Sequence, residues 1–142
     1  MFLDDIPVGM TVQTPPTRIE KDKMLAFSRE YDPFPIHIDE EYAKNSRFGR
    51  LIAPGVMSFM AVWRHIADSS LIGDELVAGL STKITWTKPV FADDVLTGRG
   101  KVTAVTRRNP YNGIMELTLE AYNQNGEHVL TGVIESVMKY RT

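Results

Sequence analysis

Cysteine is absent from the 142 residues. That excludes disulfides, thiolate metal sites and a cysteine nucleophile, and it removes the usual mark of an oxidising compartment. An excess of one charge sign is also missing: 16 Lys and Arg stand against 18 Asp and Glu, for a formal net charge of −2. Without a dense basic cluster, a nucleic-acid backbone is not an expected partner. The adjacent Arg107 and Arg108 precede Asn109-Pro110 and read as a solvated hairpin tip. Histidine is scarce. His37, His65 and His128 are far apart and no His-x-x-x-His occurs, so no metal site is expected. Long apolar runs are lacking too. The most apolar stretch, residues 56–66, is interrupted by Arg64 and is too short to span a bilayer, so no membrane partner is expected. The opening Met-Phe-Leu-Asp-Asp has no basic segment and no long apolar run, unlike a secretory signal, and a cytoplasmic protein is expected. No Gly-x-Ser-x-Gly elbow and no phosphate-binding glycine loop is present.

What is present is ordinary for a globular chain: 43% hydrophobic and 24% charged residues, enough length for one core without staples. No repeat or Gly/Ser linker divides it, so a single domain over residues 1–142 is expected. Helical patterns fill the first half and strand patterns the second, an order that favours an α+β fold with an antiparallel sheet. Residues 8–13 read as a first strand ended by Pro15-Pro16. Over residues 21–31, Met24, Phe27 and Tyr31 recur at helical spacing and Leu25 widens the face. Pro33 then ends the helix, because its ring disfavours the α conformation at Asp32. Asp39 is placed to cap a short helix through Tyr42 and Ala43. A helix from Gly55 to about Ala67 carries Val56, Met57, Phe59, Met60, Val62, Trp63 and Ile66, apolar nearly all round, as in a helix that is wrapped. Strands follow at 76–87 and 95–106. Met115, Leu117, Leu119 and Ala121 alternate with polar or larger residues, and Asn125-Gly126 marks a hairpin before a last strand. One buried helix with a long antiparallel sheet suggests a sheet curled around the helix.

The segment Tyr31-Asp32-Pro33-Phe34-Pro35-Ile36-His37-Ile38-Asp39 carries the most chemistry. Adding water to an activated double bond needs one group to take a proton from water and another to protonate carbon. A carboxylate and an imidazole suit those tasks near neutral pH. Two prolines stiffen the connection, which is expected to be extended, as a site of fixed geometry requires. The same residues also fit a plain helix stop and a core histidine. Five extended residues span about 15 Å, so spacing alone does not bring Asp32 and His37 together.

The stretch resembles the hydratase 2 motif of the MaoC-like family, in which Gly-Asp-x-Asn-Pro-hydrophobic-His-x-Asp is matched by Asp32, Pro35, Ile36, His37 and Asp39. Ile52-Ala53-Pro54-Gly55 resembles the turn entering that family's central helix. Lys88-Pro89-Val90-Phe91-Ala92-Asp93-Asp94 resembles its strand-end Pro-Val motif, and Asn123-Gln124-Asn125-Gly126-Glu127 its last hairpin. The resemblance implies a single hot-dog domain, with an antiparallel sheet wrapped around a central buried helix. It also implies reversible syn addition of water to a 2-enoyl thioester, giving the (R)-3-hydroxyacyl thioester. Asp32 and His37 would be the catalytic pair. The backbone N–H of Gly55 would face the developing oxyanion, a task that a helix start suits physically. No separate cofactor is implied; coenzyme A or acyl carrier protein would arrive as part of the substrate. Tyr31, Phe34 and Pro54 replace the family's usual Gly, Asn and His. Trp63 stands where some members place a supporting Ser. Phe34 and Trp63 are therefore expected to shape the acyl pocket.

Two other functions fit parts of the pattern. Hot-dog thioesterases often carry a carboxylate on or just before the central helix, whereas the helix from Gly55 has no acid before Asp68. A non-catalytic acyl-thioester-binding module would be consistent with Tyr31, Phe34 and Trp63. A homodimer at least is expected, since the resemblance implies pairing through sheet edges and an open edge strand is a liability unless covered.

Overall fold

The computed structural model describes residues 1–142. Ten elements follow a short 3₁₀ turn at Leu3–Asp5: β1 (Thr11–Gln13), β2 (Thr17–Arg18), α1 (Lys21–Tyr31), α2 (Pro35–Ile38), α3 (Glu40–Lys44), α4 (Gly55–Ala67), β3 (Leu76–Trp86), β4 (Val95–Arg107), β5 (Asn112–Tyr122) and β6 (His128–Lys139). All pairings are antiparallel, in the order β1-β4-β5-β6-β3, with β2 also on β4. This is the α+β hot-dog architecture expected from the sequence. No helix is long and apolar enough to cross a membrane.

The alternation read in β5 is a strict one, with every second residue from Gly113 to Ala121 buried. That side of the sheet receives α4, whose buried Ser58, Phe59, Val62 and Ile66 form one stripe at helical spacing. The helix can lie close because glycines take up the sheet positions beneath it. A Cβ on Gly98 would stand 2.2 Å from Val62 Cγ1, and one on Gly132 would stand 2.7 Å from Phe59 Cε2. Burying side chains of this size stabilises by about 1.5–3 kcal/mol each, so the glycine floor sets both the height and the energy of the helix. The outer face of α4 is not wrapped: Val56 and Met60 remain about half exposed. β3, at one edge of the sheet, is exposed along almost its entire length.

Two local expectations need correction. The first strand is confined to Thr11–Gln13, because Gly9 adopts φ 96° and turns the chain before it. The connection after α1 is extended only as far as Phe34 (φ −65°, ψ 141°), and α2 then makes one helical turn. Pro35 occupies the first helical position, where its fixed φ suits a helix and its missing N–H costs nothing.

Candidate active site

Asp32 ends α1, its N–H donating to the Ser28 carbonyl at 2.8 Å. Pro33 prevents continuation, and α2 folds the chain back so that His37 returns toward Asp32 instead of lying a full extended span away. Asp32 Oδ2 and His37 Nε2 are 3.6 Å apart, with the carboxylate side chain 30% and the imidazole 10% exposed. His37 Nδ1 is 2.7 Å from the carbonyl oxygen of Ile52. A carbonyl only accepts, so Nδ1 carries a hydrogen, and Nε2 is the ring nitrogen turned toward Asp32. The 3.6 Å separation is too long for a direct hydrogen bond.

The segment leading into α4 is pinned from both sides. Ile52 N–H donates to the Ile36 carbonyl at 3.3 Å, and Ala53 N–H to the Val90 carbonyl at 2.7 Å. Thus α2 and the Pro89-Val90 segment that follows β3 together fix where α4 begins. Pro54 is the N-cap and has no side-chain acceptor, and the Gly55 N–H meets no acceptor within the protein. An uncapped helix start holds partial positive charge and free donors, and so suits an oxygen that gains negative charge.

A cavity of about 490 Å³ joins these parts; Asp32, His37, Gly55, Ser58, Trp86 and Val90 are among its walls. Lys88 also lines it and is paired with Glu127. Hydrogen bonds from Lys88, and next from Asn123, hold the Glu127 carboxyl below the usual carboxylate range.

Asp32, His37 and Gly55 therefore share one cavity. Phe34 and Trp63 are not among the residues lining it. Phe34 is 65% exposed, its ring centroid 6.4 Å from that of His37. Trp63 stacks on Phe59 at 6.0 Å. It lies eight residues beyond Gly55, or about 12 Å along a helix axis, which is too far to join the first turn of α4. Among the cavity residues not expected as site residues from the sequence are Ser58, to which no supporting role was carried, and Trp86. Ser58 is fully buried and makes only a long 3.4 Å hydrogen bond to the Pro54 carbonyl. Trp86 lies two residues before the Lys88-Pro89-Val90 motif, which was the available signal for it.

A carboxylate, an imidazole with Nδ1 held by a carbonyl, and an uncapped helix start thus line one cavity of a hot-dog domain. The model of the MaoC-like domain matches residues 5–123. The chain belongs to that family. It is 30% identical over 140 residues to the uncharacterized protein YdeM of Bacillus subtilis, covering 98% of this chain and 99% of that one. Among solved structures it is similar to a MaoC-like dehydratase from Rhodospirillum rubrum, with 31% identity, a TM-score of 0.90, and coverage of 100% of this chain and 99% of that chain. It is also similar to an (R)-hydratase from A. caviae involved in PHA biosynthesis, with 26% identity, a TM-score of 0.76, and coverage of 96% and 98%.

Proposed function

We propose that this protein is an (R)-specific 2-enoyl thioester hydratase, which also dehydrates the 3-hydroxyacyl thioester. The observation that carries the reading is the pairing of Asp32 Oδ2 and His37 Nε2 at 3.6 Å in the cavity that also receives the Gly55 end of α4. A water molecule bridging the two groups is held for attack, and the thioester oxygen accepts from Gly55 N–H. As the water oxygen bonds to Cβ, one member of the pair takes a proton from it. The π electrons of the double bond form the new Cα–H bond with a proton from the other member, while charge on the thioester oxygen rises and falls. The pair holds one proton before and after, and it resets by transfer between Asp32 and His37. Both groups belong to one short segment on one side of the cavity, so hydroxyl and proton arrive on the same face of the alkene. One preorganised oxyanion donor is worth about 2.7–4 kcal/mol of barrier, and positioned acid–base groups contribute roughly 10²–10⁴-fold.

The scheme uses water and protons only. Coenzyme A or acyl carrier protein enters as the substrate's carrier. Two copies of the chain pair through β3, the edge strand whose Val77 and Leu80 are half exposed, which covers an otherwise open row of backbone donors and acceptors.

Incubation with crotonyl-CoA, followed by chiral analysis of the product and assay of free thiol, tests the reaction. The expected result is (R)-3-hydroxybutyryl-CoA with no thiol release. Free coenzyme A without hydration indicates a thioesterase; saturable binding with neither product indicates a binding module.

A further inference from the structure

The indole of Trp86 lies directly against the first residue of α4. A Cβ built on Gly55 would stand 2.3 Å from Trp86 Cε2, 2.5 Å from Nε1 and 2.7 Å from Cζ2. The ring is therefore in van der Waals contact with the Gly55 Cα, and both line the cavity beside the Gly55 N–H. Of the four glycines whose added Cβ would come closest to a side chain, Gly55 is the one that opens into the cavity with Asp32 and His37, and its neighbour is half exposed rather than core. The glycine floor beneath α4 explains Gly98 and Gly132 by helix packing, but it does not explain Gly55.

A group that reaches the Gly55 N–H must pass beside that ring. An enoyl thioester fits the constraint, because C=C, C=O and sulfur are conjugated and form a flat slab that lies along an aromatic face. A substituent on Cα projects from the slab next to the carbonyl, on the side where the indole stands against Gly55. We infer that Trp86 is a specificity-determining residue: its indole forms the wall over Gly55 and admits thioesters unbranched at Cα. This rests on the reading of the cavity as a thioester site. It does not depend on the hydration chemistry, because it concerns binding. One methylene in an apolar pocket discriminates by about 10–200-fold, and that sets the size of effect expected.

The test is the affinity for two saturated, unreactive probes, butyryl-CoA and 2-methylbutyryl-CoA, measured by calorimetry. It uses the full chain, Trp86→Leu and the more conservative Trp86→Phe. A parallel titration follows the emission of Trp86 in a Trp63→Phe background. The unmodified chain should bind butyryl-CoA at least about 10-fold more tightly than the branched probe. Butyryl-CoA should change the Trp86 emission saturably. Trp86→Leu should bind both probes about equally, with Trp86→Phe between. Equal preference in the wild type and Trp86→Leu, or emission unmoved by a thioester that calorimetry shows to bind, overturns the inference. Failure of wild type to bind either probe overturns both the inference and the thioester site. Discriminating binding in a protein that fails to hydrate crotonyl-CoA upholds Trp86 and refutes only the reaction.

Discussion

Replacing Gly98 by alanine places a methyl group 2.2 Å from Val62 Cγ1, 3.1 Å from Thr14 Oγ1 and 3.2 Å from Thr14 Cγ2. None of these neighbours retreats freely. Val62 is fully buried, and a β-branched side chain in a helix has one strongly preferred rotamer. Thr14 Oγ1 accepts from Gly98 N–H at 2.7 Å, a buried bond worth about 1 kcal/mol net. Overpacking of a dense core costs about 1–3 kcal/mol, and this site belongs at the upper end, so about 3 kcal/mol is expected. For a chain of this length that corresponds to a fall in Tm of roughly 10 °C. Val62→Ala removes the colliding atoms and by itself costs about 2 kcal/mol through lost burial and a cavity. In the double variant the new methyl group occupies part of that cavity. The double variant should therefore be destabilised by about 2 kcal/mol rather than the additive 5, a coupling well above the usual error of additivity. Urea unfolding of the four proteins measures it. Strict additivity would refute the placement of α4 on β4, and with it the geometry that delivers Gly55 to the cavity.

Three further outcomes follow from other parts of the molecule. If β3 forms the interface between copies, Val77→Glu or Leu80→Lys should convert a dimer to a monomer in analytical ultracentrifugation; a dimer unaffected by either places the interface elsewhere. The hydrogen bond from Arg141 holds the Asp5 carboxyl below its ordinary value, so its contribution is present above the unfolded carboxylate pKa and lost as pH falls through the lower folded value. Tm of Asp5→Asn should trail that of wild type near neutrality and converge with it in strong acid; a gap independent of pH would contradict this. Because one member of the Asp32–His37 pair must hold a proton and the other must lack one, kcat/KM for hydration should be bell-shaped in pH. A profile flat across the carboxylate and imidazole ranges would remove the pair from the reaction.

Much of the fold is legible because burial enforces periodicity. The helix over 21–31 and the alternation around Met115 to Ala121 are seen in the structure where the pattern placed them. Local chemistry was equally readable at Asp39, whose carboxylate accepts from Tyr42 N–H at 3.0 Å. What escaped depends on contacts between distant segments. The bend at α2 follows from Pro35 being accommodated at a helix start as well as in extended chain, a choice that Pro-rich spacing does not reveal. The wall made by Trp86 depends on where the end of β3 meets the start of α4, 31 residues earlier in sequence. Trp63, expected to shape the pocket because it stands where some family members place a supporting Ser, sits too far along the helix to reach the first turn. The exposed outer face of α4 carries the same apolar residues as the buried one, so the pattern alone reads it as wrapped.

The most direct test of the central claim is loss of the enoyl chromophore of crotonyl-CoA, followed for wild type, Asp32→Asn and His37→Gln, with folding of each checked by circular dichroism. Rapid loss in the wild type and a fall of at least about 10²-fold in kcat for each variant, with binding of butyryl-CoA retained, is the outcome the account predicts. Hydration that survives in either variant at near wild-type rate would contradict it.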